Sequence, residues 1–295
     1  MNSVLLFFID GLGIGTRGWH NPLSLAENLA PLAVFHDEEP KPIFDGALSR
    51  ADACLGIDGR PQSASGQTTI LTGVNVPQTL GYHKQGFPNA AMREILARDS
   101  IFLQLKNMGV MPNVFANAYT PKFFTETPRW KSATTCAVEA AEMKFRTLDD
   151  LLENRAVYHD FTNSVLRARG FPDFPLRSPQ EAGNILAGLT KQHRFTLYEY
   201  FITDKIGHDQ DFELAAKVLP ALAECARSLL ENVDLNKTTV ILTSDHGNIE
   251  DLSARNHTLN LVPTWVWGRE NKQTANTIKS LADVTPAIVN LLKKG

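Results

Sequence analysis

The chain has 295 residues, 43% of them hydrophobic, which is enough for one large core or two small ones. Its 29 basic and 32 acidic residues are scattered and leave a formal charge of -3, so no basic stripe offers itself to nucleic acid. Three cysteines, Cys54, Cys136 and Cys225, are odd in number and far apart, which argues against a disulfide framework or a thiolate zinc site and fits a reducing, cytoplasmic setting.

Residues 4–9 form an uninterrupted apolar run followed at once by Asp10-Gly11. The run is too short to span a membrane and lacks the basic flank and small-residue cleavage site of a signal peptide, so it reads as a buried strand. No other stretch is long enough for a transmembrane helix, and no membrane association is expected. Residues 31–62 and 75–98, broken by prolines and glycines, read as long loops or small excursions over the sheet. Between them, SASGQTTILTG at 63–73 reads as a turn entering a helix, with Ser63 at or near its start.

Residues 110–118 are a weaker strand candidate, and 119–175 mix helical patterns with PKFFTETPRW and YHDF, as a small lid would. Ser-Pro-Gln-Glu at 178–181 has the form of a capping box and opens a helix over 178–193. Residues 195–202 and 239–243 are further apolar strands, the first with a glutamate inside it. Residues 211–232 have helical spacing with Pro220 as an expected kink, 263–267 form a weaker strand, and 281–294 close as an amphipathic helix. Alternating strands and helices predict an α/β fold: a doubly wound, mostly parallel sheet with helices on both faces, in a single domain over 1–295.

Three apolar runs end in aspartate: Asp10 after VLLFFI, Asp204 after YEYFIT and Asp245 after VILTS. Ligands of open α/β sheets bind beyond the carboxyl ends of the strands. Carboxylates gathered at one edge repel unless a cation lies among them. Histidines accompany them in Asp204-Lys-Ile-Gly-His208 and Asp245-His246, with His257 in the loop RNHTLN. Mixed imidazole and carboxylate donors suit zinc, manganese or iron better than calcium. Each signal alone has a plain structural reading, such as a helix cap; their conjunction beside strands points to a metal site. The start of the 63–73 helix suits a phosphoryl group, and metal coordination is one way to activate a serine; the alternative is that Ser63 or Ser65 simply caps the helix.

With these motifs in view, the chain resembles the alkaline phosphatase superfamily of metalloenzymes. FIDGLGIG, SASGQTTILTG, TDKIGHDQD, TSDHGNIED and NHTLNLVP are most similar to the cofactor-independent phosphoglycerate mutase and phosphopentomutase branch. The resemblance implies two divalent metals, manganese or zinc: one held by Asp204, His208 and His257, the other by Asp10, Asp245 and His246 with the Ser63 oxygen. It makes Ser63 the nucleophile, with Ser65 and Thr68 as competitors, and puts Gln67 where those mutases usually have histidine. It also implies in-line attack on phosphorus and later hydrolysis of the phosphoserine.

A full mutase cap does not fit in the roughly 140 residues between Ser63 and Asp204, so hydrolysis of a small-molecule phosphate ester is expected, monoester or diester. The alternatives are a small phosphomutase acting on a sugar or glycerate phosphate, and a non-catalytic metal-binding member. Sulfatase chemistry is set aside because SASGQ lacks the Cys/Ser-x-Pro-x-Arg setting. Lys205 is the best placed residue to meet substrate; His83 and Lys84, and less so Lys122, Arg129 and His159, are further candidates.

Overall fold

The computed structural model describes residues 2–126 and 130–294. Six strands form one sheet in the order β2-β6-β5-β1-β4-β3: β1 is Ser3–Ile9, β2 Ala47–Ala51, β3 Asn113–Phe115, β4 Phe195–Tyr200, β5 Thr238–Ser244 and β6 Val262–Trp267. β1 lies parallel to both β4 and β5, and β3 parallel to β4; β6 runs antiparallel to β5 and β2. The sheet is therefore mostly parallel.

Its central strands read as unbroken apolar runs because both faces are covered. On one face Leu5, Phe7 and Ile9 of β1 join Tyr198, Leu242 and Trp265 against helices Pro179–Thr190 and Phe212–Asn232. On the other, Val4, Leu6 and Phe8 join Leu197 and Ile241 against α1 (Ser63–Thr72), Ala133–Ala140 and Val284–Lys293. Alternation along each strand divides the side chains between two cores.

The Ser178–Glu181 capping box forms as the sequence predicts, and the helix Phe212–Asn232 passes through Pro220 as one element. Two expected loops contain regular structure. Residues 75–98 hold helices Val76–Leu80 and Ala90–Asp99, each opened by an asparagine cap, Asn75 and Asn89, whose side chain accepts an early N–H. Residues 31–62 contribute β2, a short edge strand too irregular in pattern to stand out. The stretch 119–175 is divided: Ala133 and Ala137 sit in the second core, while Leu151, Ala156, Tyr158 and Leu166 form a small cluster with Ala118. Cys54, Cys136 and Cys225 are free. No helix among the described residues is long and apolar enough to cross a membrane.

Candidate metal centre

Register brings the acidic residues together. Ile9 is level with Tyr200 on β4 and with Ser244 on β5, so Asp10 and Asp245 each lie one residue past the paired ends of neighbouring parallel strands. Asp204 arrives differently from the sequence expectation. β4 stops at Tyr200, and Asp204 occupies the first turn of helix Ile202–Asp209. Its Asp-x-x-x-His spacing is thus one helical turn, which puts Asp204 and His208 on one face. The Thr203 hydroxyl donates to the Asp10 carbonyl at 2.5 Å and ties this turn to the β1 loop.

Two donor sets result, Asp204–His208–His257 and Asp10–Asp245–His246, and within each the donor atoms lie within 4.8 Å of one another. In the first, His208 Nε2 is 3.4 Å from Asp204 Oδ2, His257 Nε2 is 3.3 Å from Asp204 Oδ1, and the two Nε2 atoms are 3.1 Å apart. In the second, His246 Nε2 is 3.3 Å from Asp10 Oδ1 and 3.5 Å from Asp245 Oδ2. Donors about 2.1 Å from a tetrahedral ion would be about 3.4 Å from each other, so the spacing fits.

Tautomers point the same way. His208 Nδ1 lies 2.8 Å from the Arg255 carbonyl and His257 Nδ1 2.8 Å from the Pro61 carbonyl. A carbonyl can only accept, so each Nδ1 carries the proton and each Nε2 faces inward. Two inward Nε2 atoms at 3.1 Å require something positive between them, a shared proton or a cation. In the other set the buried Asp10 Oδ1 has no hydrogen-bond partner among the described residues. Burial and then the charge of Asp245 hold the Asp10 carboxyl well above the ordinary range, and burial raises Asp245. Burial also works against ionised Asp204, but is outweighed by hydrogen bonding to His257 and the nearby His246, which hold it at about 2. Buried carboxylates lacking countercharge and imidazoles turned nitrogen-inward are the donor set that divalent metals of the zinc or manganese type take.

Ser63 is the first residue of α1, and Gln62, not a serine, stands at its cap. Ser63 Oγ is 2.9 Å from His246 Nε2. The competing hydroxyls turn elsewhere: Ser65 Oγ donates to the Gln62 carbonyl and accepts from the Lys84 N–H, while Thr68 Oγ1 donates back to the Ala64 carbonyl. Ser63, Asp10, Gln67, Asp204 and Lys205 line a cleft of about 550 Å³.

Several residues that hold this arrangement were given no role from sequence. Gln67 Nε2 donates to Asp10 Oδ2 at 2.9 Å and to Asp245 Oδ2 at 3.2 Å, bridging two like charges. Buried Glu250 accepts from the N–H groups of Gly13 and Asn248, the Thr258 hydroxyl and the Asn260 amide, joining three of the motif loops. Gly247 is required there: a Cβ would meet Glu250 Oε1 at 2.0 Å and Thr258 Oγ1 at 2.2 Å. Gly11, at φ +76°, makes the turn after Asp10 and lies so near Asp204 that a Cβ would come within 2.9 Å of its Cα. Glu199 on β4 lines the cleft, accepts from the Thr134 hydroxyl at 2.7 Å, and is pushed up to about 7 by burial. A glutamate inside an apolar strand was its one sequence signal.

The expected substrate contacts separate. Lys205 and His159 line the cleft, with His159 stacked on Phe201. His83 and Lys84 are engaged elsewhere: His83 Nε2 meets the Ile57 carbonyl at 3.2 Å, and Lys84 Nζ donates to the Gln85 carbonyl. Neither belongs to the cleft wall. The Lys84 backbone meets Ser65 in the first turn of α1, its carbonyl accepting from the Ser65 N–H and its N–H donating to Ser65 Oγ. Lys122 is 3.7 Å from Glu126, and Arg129 lies outside the described residues.

Residues 177–294 match the metalloenzyme superfamily. A 2,3-bisphosphoglycerate-independent phosphoglycerate mutase of Bacteroides fragilis is 23% identical over 278 residues, covering 87% of this chain and 52% of the relative. Its namesake from Antithamnion is 28% identical over 122 residues, covering 38% of this chain and 24% of the relative. The chain thus spans about half or less of the length of these curated relatives. Among solved structures, a cold-active alkaline phosphatase from Shewanella superposes with a TM-score of 0.57 at 10% identity, covering 98% of this chain and 99% of that one. A protein from Pyrococcus horikoshii gives 0.56 at 15% identity, covering 100% and 97%. These two likenesses show the fold.

Proposed function

We propose that this chain, whose residues 177–294 match the metalloenzyme superfamily and whose fold is alkaline phosphatase-like, is a two-metal hydrolase of small-molecule phosphate esters. The observation that carries the reading is the position of Ser63: its Oγ lies 2.9 Å from His246 Nε2, at the edge of one donor set and on the cleft wall.

Asp204, His208 and His257 would hold one divalent ion, manganese or zinc, and Asp10, Asp245 and His246 with Ser63 Oγ the other; the ions would supply positive charge for phosphoryl oxygens and for an ionised serine. The chain itself does the positioning. Gln67 steadies Asp10 and Asp245, and Glu250 holds the loops that carry the donors. Lys205 lines the cleft wall, where its ammonium can meet a phosphoryl oxygen. Ser63 Oγ bonds to phosphorus as the P–O bond to the alcohol breaks, and the alcohol takes up a proton. Water then replaces the serine oxygen at phosphorus, and Ser63 recovers its proton. Within the single domain, residues of 119–175 act as a small lid, since Tyr119, Phe123 and Tyr158 wall the cleft.

A second reading, phosphomutase, draws on the names of the curated relatives. Both are tested by loading the protein with manganese or zinc and following phosphate release from monoesters and diesters. Hydrolysis should fall at least about a thousandfold in Ser63→Ala while both metal equivalents remain bound. Wild-type rates in that variant would remove Ser63 as nucleophile. A labelled phosphoserine that persists in water and returns its phosphoryl group to a sugar phosphate would favour the mutase.

A further inference from the structure

The cleft has two unlike parts. Its floor is the acidic and imidazole cluster with Ser63. Its wall is made of rings. Phe87 and Trp130 stand nearly parallel, with centroids 6.3 Å apart and planes 13° from each other. Tyr119 and Phe123 lie with centroids 4.0 Å apart, and His159 stacks on Phe201 at 4.8 Å. All six line the same cleft as Ser63.

Several polar groups of this wall are engaged with one another, while Thr120, Arg169 and Lys205 line it as well. Asn117 exchanges two hydrogen bonds with the Glu199 backbone, at 2.8 and 2.9 Å. Ser132 Oγ lies 2.8 Å from Thr134 Oγ1 and 2.9 Å from Thr135 Oγ1, and Tyr119 Oη lies 3.1 Å from Thr135 Oγ1. Lys131 is paired with Glu139 at 2.8 Å. A glycerate carboxylate or a sugar's hydroxyls set against the rings would be desolvated there without new partners, at a cost in binding. A flat apolar group could lie against these rings and gain stacking contact.

We infer that the cleft selects phosphate esters whose alcohol portion carries a planar aromatic ring system, held against the Phe87–Trp130 and His159–Phe201 pairs while Ser63 faces the phosphorus. Ring-bearing and ring-free substrates then share the chemistry at phosphorus and differ in what fills the wall. This rests on the phosphate-ester reading for the identity of the reaction, but the wall stands on its own geometry.

The test uses the metal-loaded full chain and two matched pairs: adenosine 5′-monophosphate against ribose 5-phosphate, and 2-(1-naphthyl)ethyl phosphate against n-butyl phosphate. Members of each pair leave as similar primary alcohols, so a difference reports the ring. At least one ring-bearing ester should show kcat/KM about tenfold or more above its partner, as stacking on two ring pairs provides. Which pair discriminates distinguishes a nucleobase from a plain arene. Trp130→Ala and Phe87→Ala, both at exposed positions, should bring that ratio towards one mainly through KM, and Trp130→Phe should retain much of it. Equal hydrolysis within both pairs would overturn the inference and leave the hydrolase reading intact. No hydrolysis of any ester, with tight binding of 2-(1-naphthyl)ethylphosphonate that the Trp130→Ala variant loses, would uphold the aromatic site and overturn the hydrolase. Neither turnover nor ring-dependent binding would overturn both.

Discussion

The two donor sets contain the same kinds of side chain but differ in surroundings. In the inner set Asp245 and His246 are fully buried and Asp10 is 6% exposed. In the outer set the His208 side chain is 38% exposed. Burial raises Asp10 and Asp245, whereas imidazoles and the Asn248 amide hold Asp204 at about 2. Burial therefore works against the ionised inner carboxylates, which a cation would offset, while its neighbours already favour the ionised outer one. An ion held by the inner set would be coupled to folding, and one held by the outer set would exchange more readily.

The largest effect should come from cutting into that asymmetry. Asp245→Asn is expected to weaken inner-site metal affinity by more than about a hundredfold, beyond what loss of an outer partner costs. His208→Ala should instead reduce bound metal from two equivalents to one and spare the inner ion. Titration calorimetry with elemental analysis checks both; equal losses in the two variants would break the distinction. Metal removal comes next. At a metal concentration about a thousand times Kd, binding adds about 4 kcal/mol to stability, so a chelator should lower Tm by about 8 °C or more. Most of that increment should vanish in Asp245→Asn and survive in His208→Ala.

The smallest effect concerns Glu199, close to the inner set in charge but not a member of it. Its folded-state carboxyl sits at about 7 because of burial, against an ordinary value of 4.5. Between those values the folded chain keeps a proton that the unfolded chain has released. The stabilisation is full below pH 4.5 and is lost as pH rises to about 7, amounting to as much as about 3 kcal/mol. In metal-free protein, Glu199→Gln should flatten that part of the stability-versus-pH curve relative to wild type, since a glutamine oxygen can still accept from Thr134. Parallel curves from denaturant titrations would show that Glu199 does not carry the dependence.

Legibility followed burial. β1, β4 and β5 could be read because strands covered on both faces are written as apolar runs. β2 could not: ALSRA is a short edge strand with half-buried positions and no clean alternation. The helices at 76–80 and 90–99 were hidden by neighbouring prolines and glycines, although Asn75 and Asn89 were present as caps. Asp10, Asp245 and His246 could be read because they directly follow strand ends, whereas Asp204 and His208 stand on the helix after β4 and are legible through their Asp-x-x-x-His spacing. His83 and Lys84 were visible as charges near the 63–73 helix, but their side chains turn to the carbonyls of Ile57 and Gln85.

The sequence by itself determined the kinds of donors, their order, and the sheet that would bring them to one edge, because a parallel register carries successive strand ends to the same side. Only the tertiary structure decided that Asp204 acts from a helical turn, that Ser63 rather than Ser65 or Thr68 faces His246, and that rings wall the cleft. Those rings come from positions 87, 119, 123, 130, 159 and 201, separated along the chain and sharing no local pattern. Local pattern records which face of an element is buried; which distant faces meet across a cavity depends on how the elements pack.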